Sequence, residues 1–483
     1  MKAHDGPTDS VEEGIESDLF EGDGTGNQVG NFLEESDALD TTDRDRALED
    51  LEAERKLRRK LEVELSEYKF KLQLACSDAE NLRDELNSLK AVVSTSKTTQ
   101  MSPSSMSKRP KLSYSSVGSY VMTKTLNFSP AGQCRVLAPY DHIKLLCVSQ
   151  ASTNPLFKGF GIKKIHTDAL RQLKFIHLHA QPIRDMAFHP EQQDAIIASA
   201  STDKSLKLTS LLVDQVVQTY QCSSPIWSCC WAFPSPNYLF AGCVNGSVYL
   251  FDIRVTSRPA SVFVISASST APVIALQYIS PDPSDPTFQS GGLLAGQLTQ
   301  VAFLEEAVTT TVEDVGSENE WSYRSYPLSL EGSLVSLSSL YEKRGLFLAS
   351  YRPSTRVPRV RHLCTRLTAS PVDSETGALR PHGYDCESVA SLFGGTQMRM
   401  LSRARLFRQE ESDQILVASG DDDAGGALVW NCTTGSCIQT LTMAGAPVPV
   451  IDVCAFNNGG NLALLTDHQV DVFKWCQNHG SDT

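Results

Sequence analysis

From Leu126 to the end of the chain, short apolar stretches alternate with polar turns. Such stretches, when they are bounded by Gly, Asn, Asp and Pro, are typical of β-strands. The same order recurs throughout this region: an apolar strand, a turn that contains Asp or Asn, and a second strand. We therefore predict an all-β repeat domain over residues 123–477, followed by a short tail at 478–483.

Two neighbouring repeats give the period of this domain. Asp203 and Asn245 occupy equivalent turns that are 42 residues apart. Thr209 and Phe251, in the strands that follow those turns, have the same spacing. A period of about 42 residues is that of a four-stranded propeller blade. With a first unit at about 124–168, the pattern predicts a β-propeller of about seven degenerate blades. Its other strand–turn–strand steps lie at 293–303, 415–431 and 462–473, and a further strand lies at 346–351.

The segment before the propeller has a helical period. Apolar residues recur at alternating gaps of four and three, which is the 3.5-residue period of a coiled-coil seam. We predict a coiled coil over residues 38–95. Its seam comprises Leu61, Leu65, Tyr68, Leu72, Ala75, Ala79, Leu82, Leu86, Leu89 and Val93.

Charged residues beside the seam indicate how the helices pair. Three acidic residues each precede a basic residue by five positions: Glu64 and Lys69, Asp78 and Arg83, Glu85 and Lys90. In a parallel coiled coil these positions form interhelical contacts of opposite charge. The sequence therefore favours parallel self-association, and the Leu and Ala seam leaves the choice between dimer and trimer open.

The charge of the chain is concentrated at its beginning. The chain has 43 Lys and Arg against 57 Asp and Glu, a net charge of −14, and residues 1–45 alone hold fourteen acidic side chains. Such a segment buries too little apolar surface to offset its conformational entropy. We predict that residues 1–37 are disordered; an acidic binding motif for a partner is the alternative.

Residues 96–122 are rich in Ser, Thr, Met and Pro and lack periodicity, which predicts a linker. The linker contains a short basic cluster formed by Lys108, Arg109 and Lys111. Clusters of this kind are typical of nuclear import signals, although an ordinary solvated linker also accounts for them.

Composition excludes several classes of protein. No run of 18 apolar residues could span a membrane, and the first residues lack the apolar core of a secretory signal. Thirteen cysteines without framework spacing are typical of reduced thiols inside the cell. The acidic balance argues against bulk electrostatic capture of nucleic acid, so we expect any DNA contact to be indirect. No phosphate loop, nucleophile elbow or zinc-protease helix is present, and we assign no catalytic residue and no metal ligand.

Four repeat positions are expected to be structural. His179 and Asp203 fit the buried hydrogen-bond network of WD repeats, Asn245 occupies the equivalent turn, and Trp430 keeps the signature Trp. Elsewhere the Trp-Asp pair is replaced, for example by Thr209-Ser210, so we expect an incomplete network. The candidate for partner binding is a cluster of four arginines within ten residues, which comprises Arg352, Arg356, Arg359 and Arg361. A solvated connection between strands is the alternative for this cluster.

The chain resembles a particular family with the same order of coiled coil, linker and degenerate propeller. The strings that carry the resemblance are Lys207-Leu208-Thr209-Ser210-Leu211, Val217-Gln218-Thr219-Tyr220, Trp227-Ser228-Cys229-Cys230-Trp231, Phe157-Lys158-Gly159-Phe160-Gly161 and Ala241-Gly242-Cys243-Val244-Asn245-Gly246-Ser247. The family is that of RING finger and WD-repeat ubiquitin ligases that act in replication stress and DNA interstrand crosslink repair. The resemblance implies a nuclear protein, with the cytoplasm left open, that engages replication protein A on single-stranded DNA.

One feature of the family has no counterpart in these residues. A RING domain needs eight Cys or His ligands for two zinc ions, whereas residues 1–120 contain only Cys76 and His4. We therefore expect no cofactor in this chain, zinc only if a RING lies upstream, and recruitment of a ubiquitin-conjugating enzyme only through such a RING. Two functions stay open: the partner-binding and oligomerisation portion of the ligase, and a non-enzymatic WD-repeat scaffold that regulates it.

Overall fold

The computed structural model describes residues 51–58, 60, 118–128, 132–156, 158–190, 195–233, 235–266, 269–281, 291–307, 322–343, 345–370 and 383–477. Residues 51–58 and 60 are helical and exposed, and they fall within the range predicted to form a coiled coil. They belong to the first of two compact units, residues 1–68; the second spans 69–483. The acidic segment 1–37, the linker cluster at 108–111 and all ten seam residues lie outside the described residues, so those assignments stay predictions.

The second unit is a closed β-propeller. Its described residues form seven antiparallel sheets of four strands each, which confirms the predicted β-propeller of about seven blades. A short 3-10 helix at Asp141–Ile143 follows the second strand. In chain order the strands are β1 Ser119–Asn127, β2 Leu137–Tyr140, β3 Leu145–Ala151, β4 Phe160–His166, β5 Arg171–His179, β6 Ile183–Phe188, β7 Ile196–Ser201, β8 Ser205–Ser210, β9 Gln215–Gln221, β10 Ile226–Trp231, β11 Tyr238–Cys243, β12 Ser247–Asp252, β13 Ser261–Val264, β14 Val273–Ile279, β15 Gly292–Gln297, β16 Val301–Ala307, β17 Ser322–Pro327, β18 Leu334–Ser339, β19 Leu346–Tyr351, β20 Arg361–Ser370, β21 Gly383–Phe393, β22 Arg405–Gln409, β23 Gln414–Asp421, β24 Gly426–Asn431, β25 Cys437–Thr442, β26 Asp452–Phe456, β27 Asn461–Leu465 and β28 Gln469–Cys476.

The blades follow one another along the chain, except where the ring closes. Six blades are consecutive: β2–β5, β6–β9, β10–β13, β14–β17, β18–β21 and β22–β25. The seventh combines β26, β27 and β28 with β1, which pairs with β28 from Ser119 opposite Cys476 to Asn127 opposite Gln469. The predicted first unit at 124–168 was therefore wrong in its start, because residues up to 127 complete the last blade and the first blade begins at Leu137.

The core lies between adjacent blades. The second strand of a blade has neighbours on both faces, so it is apolar or small at nearly every position; β11, for example, is buried from Leu239 to Cys243. Small residues set how closely two blades approach. A Cβ atom added to Gly296 on β15 would lie 2.5 Å from Cδ2 of Leu334 and 2.9 Å from Cδ1 of Leu337 in the next blade. The Ala, Gly and Ser residues in these strands therefore reflect blade packing.

Candidate partner-binding surface

The antiparallel blades divide the connections between two faces. The connections between the second and third strands of each blade lie on the same side as those between blades. We call this side the upper face; it includes residues 202–204, 352–360 and 394–404. The other connections form the lower face. The four arginines selected from the sequence lie in or next to the loop at 352–360, and the structure therefore places them on the upper face.

His179 forms part of a buried hydrogen-bond network under this face. Its Nδ1 lies 2.9 Å from Oδ2 of Asp203, and its Nε2 lies 2.8 Å from Oγ of Ser199. Ser205 Oγ donates to Oδ1 of Asp203 at 2.6 Å. Burial would raise the pKa of Asp203, but the hydrogen bonds from His179 and Ser205 outweigh it and hold that pKa well below its ordinary value. The network ties the turn between β7 and β8 to the end of the preceding blade.

The network lacks the Trp that would complete it in a standard WD repeat. Thr209 stands at that place, and in the described structure its buried Oγ1 has no hydrogen-bond partner. Asn245 reproduces the turn of the previous repeat, since its Oδ1 accepts hydrogen bonds from N and Oγ of Ser247 at 3.3 and 2.7 Å. The hydrogen bonds within the turn therefore recur at Asn245, whereas the buried network of His179 is incomplete at Thr209.

Trp430 packs between two blades. It lies on β24 and is 3% exposed, and its ring centroid is 5.3 Å from that of His362 on β20 in the preceding blade. His362 Nδ1 lies 2.9 Å from Oγ of Ser350, while its Nε2 is buried and has no hydrogen-bond partner in the part of the chain described. Burial lowers the pKa of His362 from 6.5 to about 4.

The lowered pKa of His362 predicts acid sensitivity. As the pH falls from 6.5 to about 4, the unfolded chain binds a proton at this residue before the folded chain does. The free energy of unfolding should therefore fall by up to about 3 kcal/mol across this range. Urea denaturation of the parent and of His362→Asn, which keeps a polar group near Ser350 but does not titrate, measures the effect. Equal acid-dependent losses in both proteins would contradict the assignment.

The arginine cluster divides into two exposed side chains that no backbone carbonyl engages and two that backbone carbonyls engage, of which Arg359 is also exposed. Arg352 is exposed, and Arg356 forms an ion pair with Glu331 at 3.4 Å in which both side chains are more than 80% exposed. An ion pair this exposed contributes little to stability. Arg359 donates from Nε to the carbonyl of Gly394 at 2.8 Å, and Arg361 donates to the carbonyl of Glu331.

Aromatic rings hold the two engaged arginines further. The Arg361 guanidinium lies 5.0 Å from the centroid of the Tyr351 ring, and that of Arg359 lies 5.9 Å from the Phe393 ring. Such cation–π contacts fix the side chains against the loop. Of the four predicted arginines, Arg352 and Arg356 are therefore the ones most accessible to a partner.

Carboxylates lie next to this cluster. Asp421, Asp422 and Asp423 accept hydrogen bonds from the backbone N of Gly395, Arg399 and Thr396, respectively, at 2.5 Å each. The backbone and side-chain hydrogen bonds from Thr396 lower the pKa of Asp423. This part of the upper face consequently presents both signs of charge, which suits a protein surface of mixed charge better than a polyanion.

The structure also brings together arginines that the sequence reasoning missed. Arg135, Arg184 and Arg403 all lie at the start of innermost strands, on the upper side of the central channel. The nearest sequence signal is a cation placed beside the first residue of an apolar strand, as in Arg135-Val136-Leu137. That signal does not predict that the three arginines lie together, because they belong to three different blades that only the closed ring brings close.

Across the described ranges, no group of three or more His, Cys, Asp and Glu side chains is placed to hold a metal ion. Cys229 and Cys230 are buried in β10, and burial raises the pKa of both thiols well above the ordinary value, which disfavours nucleophilic thiolates. A search of the same residues finds no helix with the length and apolar character needed to cross a membrane.

Comparison with known proteins places this propeller in a family. A sequence profile described as the E3 ubiquitin-protein ligase RFWD3 WD40 domain matches residues 120–474, nearly the whole range of strands. The chain belongs to the RFWD3 family. This confirms the resemblance drawn from the sequence.

Individual relatives of the RFWD3 family agree with the profile. The human E3 ubiquitin-protein ligase RFWD3 is 32% identical over 454 residues, covering 91% of this chain and 55% of the relative. The proteins of the same name from Ailuropoda melanoleuca and Mus musculus are each 31% identical over 447 residues, with the same shares covered. The chain thus spans about half the length of these curated relatives.

Proposed function

We propose that this chain is the partner-binding and oligomerisation portion of a RING-type E3 ubiquitin ligase of the RFWD3 family. In this proposal it acts on DNA coated with replication protein A, in the DNA damage response and interstrand crosslink repair. The observation that carries the proposal is the match of the seven-bladed propeller, over residues 120–474, to the RFWD3 WD40 domain. Propellers of this kind offer a broad surface of loops to a partner, and the mixed charges around Arg352 and Arg356 support protein binding there.

Direct binding of purified replication protein A to the purified 483-residue chain tests the proposal. We expect a saturable complex that is weakened when Arg352 and Arg356 are both replaced by Ala, because these two are the exposed arginines of the cluster that no backbone carbonyl engages. Replacement of Arg254, which lies on the lower face and pairs with Asp252 at 2.6 Å, is the matched control. Absence of a complex with the unaltered chain would contradict the proposal.

A second candidate is a non-enzymatic WD-repeat scaffold that regulates the ligase. It is favoured by the single cysteine and single histidine among residues 1–120, which cannot supply two four-ligand zinc sites. We expect the 483-residue chain, mixed with activating enzyme, conjugating enzyme and replication protein A, to form no ubiquitin conjugates above the reaction without ligase. Zinc-dependent conjugates would show that the chain itself catalyses transfer. Restoration of conjugation by a RING supplied upstream in the same chain would favour the first candidate over the scaffold.

Self-association through the predicted coiled coil forms part of the proposal. The unbroken seam and its three pairs of opposite charge support a parallel oligomer. Leu82→Pro removes a backbone donor and breaks the helix at a seam position, at a cost of about 3 kcal/mol or more. We expect light scattering to detect an oligomer for the parent and a monomer for Leu82→Pro. A monomeric parent at micromolar concentration would contradict the assignment.

Nuclear localisation is the remaining part of the proposal. It rests on the basic cluster of Lys108, Arg109 and Lys111, together with the resemblance to ligases of DNA repair. Replacing all three with Ala in a fluorescently tagged chain should shift the protein toward the cytoplasm. Replacement of Lys56, Arg58 and Lys60, in the preceding helical segment, controls for the loss of positive charge. An unchanged nuclear fraction in the first variant would show that another signal directs import.

A further inference from the structure

The innermost strands of the blades surround a central channel. Below its upper mouth the channel encloses a cavity of about 350 Å³, lined at the upper end by Asp185 and Arg403 and at the lower end by Tyr341 and Phe233. Three arginines from three blades gather at the mouth: Arg135 just before β2, Arg184 on β6, and Arg403 just before β22. Their charges influence one another, since Arg184 and Arg403 both lower the pKa of Arg135.

The nearest carboxylates neutralise this group only in part. Asp185 is fully engaged: its Oδ1 binds Nη1 of Arg403 at 2.7 Å, and its Oδ2 accepts the backbone N of Cys229 at 3.0 Å. Asp452 is fully buried and accepts the backbone N of Leu137 at 2.8 Å and that of Val453 at 2.9 Å. These carboxylates therefore compensate Arg403 and hold strand ends together, which leaves two further cations without an ion pair.

Arg135 and Arg184 are those two cations. Within the described ranges, neither guanidinium forms an ion pair or a hydrogen bond, and Nε of Arg184 is buried without a partner. The Arg184 guanidinium is stacked over the Trp227 ring, 4.5 Å from its centroid. Burial is the largest cause that lowers the pKa of both groups, to about 10 for Arg135, and repulsion from Arg403 adds to it. For Arg135, the charges of Asp452 and Asp467 offset only part of this lowering. A half-buried cation that forms no ion pair is costly, and an anion bound here would offset that cost.

The shape of this site selects among anions. A nucleic acid backbone is held by cations spread along a groove, whereas these three arginines lie at the starts of innermost strands around one channel mouth, close enough for their charges to interact. Carboxylates elsewhere on the upper face, including Asp422 and Asp423, would repel a long polyanion. A single anionic group at the end of a side chain can reach the mouth and accept forked hydrogen bonds from planar guanidiniums.

We propose that the upper mouth of the central channel, at Arg135, Arg184 and Arg403, binds one anionic side chain of a protein partner. The chemistry is that of a phosphoserine or phosphothreonine, or of a glutamate or aspartate, which offer the same acceptor geometry with different charge. The proposal rests on the proposed function in taking a protein as the ligand, and it adds the position on the propeller where that protein is recognised. Arg135 and Arg184 supply the free charge, and Trp227 positions Arg184.

The binding of peptides to the full 483-residue chain tests this site. The probes are short fluorescent peptides with randomised flanks and a central phosphoserine, glutamate or serine, and a single-stranded oligonucleotide serves as the competing ligand class. We expect the phosphoserine or glutamate peptides to bind more tightly than the serine peptides, and the tighter of the two identifies the source of the charge. Arg135→Ala and Arg184→Ala should each weaken that binding about tenfold or more, because a charged hydrogen-bonding partner is lost.

Arg408→Ala is the matched control. Arg408 is exposed at the lower end of β22, where it pairs with Glu342 and Asp413, so its replacement should leave peptide binding unchanged. Arg184 covers the Trp227 ring, so the bound phosphoserine peptide should also change the tryptophan fluorescence of the unaltered chain, and Trp227→Phe should remove that change. This second readout does not depend on the folding of the arginine variants.

Equal binding of charged and serine peptides would overturn the proposal, and so would full binding by folded Arg135→Ala and Arg184→Ala. The absence of a fluorescence change on binding, or oligonucleotide binding at these residues without peptide binding, would also overturn it.

Failure of this site is distinguishable from failure of the proposed function. Charged-peptide binding without capture of replication protein A supports the site and contradicts the proposed function. Capture of replication protein A without charged-peptide binding does the reverse.

Discussion

A chain that begins at residue 129, and therefore lacks β1, is expected to lose the cooperative fold of the propeller. β1 supplies the outer strand of the last blade, so its removal leaves the outer edge of β28 without the partners that Ser119–Asn127 provide. It also removes two buried side chains, Tyr120 and Leu126, and uncovers Trp475, whose ring lies 4.9 Å from that of Tyr120. The lost burial and hydrogen bonds amount to more than about 5 kcal/mol, comparable to the whole stability of a typical domain.

Thermal unfolding followed by circular dichroism, together with limited proteolysis, measures the effect of this truncation. The matched control begins at residue 117 and keeps β1, so it should unfold cooperatively like the full chain. A finer variant, Tyr120→Phe, removes the hydrogen bond from Tyr120 Oη to the carbonyl of Gly459 at 2.5 Å and should lower stability by about 1 kcal/mol. Similar unfolding midpoints for the chains that begin at residues 117 and 129 would show that the ring does not need this closure.

Trp430→Ala should destabilise the propeller by about 3–5 kcal/mol. The indole is 3% exposed and fills the interface between two blades, where it packs against His362 and the apolar side chains of β19 and β23. Its removal leaves a cavity that a rigid sheet cannot close by local movement. Urea denaturation gives the change in the free energy of unfolding. Val217→Ala on β9, where the side chain is 51% exposed, is the control and should cost less than about 1 kcal/mol.

A loss of less than about 1 kcal/mol for Trp430→Ala would mean that this interface is looser than its burial indicates. Because the free energy of unfolding of a whole domain is only about 5–15 kcal/mol, the predicted loss would also lower the amount of folded protein in cells. Binding assays with Trp430 variants would then report stability rather than recognition. The arginines at the channel mouth and in the 352–360 loop are better targets for separating binding from folding.

The second strands of the blades were the most predictable part of the fold. Strands such as β7, β11 and β15 are buried on both faces, so they read as continuous apolar and small residues bounded by polar turns. The outer strands carry a weaker signal. In β9 five of the seven side chains are exposed, and it pairs with its blade along one edge only. Its position follows from the blade that it completes.

Within the candidate surface, sequence proximity and structural role diverge. Four arginines within ten residues predict one basic patch, yet Arg359 and Arg361 are held by backbone carbonyls and aromatic rings, and only Arg352 and Arg356 are exposed without such contacts. In contrast, Arg135 and Arg403 are far apart in the chain and meet at the channel mouth. The spacing of charged residues along a chain indicates their distance in space only within a turn or a pair of neighbouring strands. A closed ring also brings together residues that are far apart in the sequence.

The sequence by itself determined the repeat, the all-β class, the number of blades and the family, because each depends on contacts within a repeat of about 42 residues. Strand alternation, small residues and turn residues such as Asp203 and Asn245 are selected by neighbours that are close along the chain. The tertiary structure alone decided where the ring closes and which cations at the channel mouth form no ion pair. Both depend on contacts across the closed ring, such as Tyr120 with Gly459 or Arg403 with Asp185, and no local pattern of residues records which distant partner will be met.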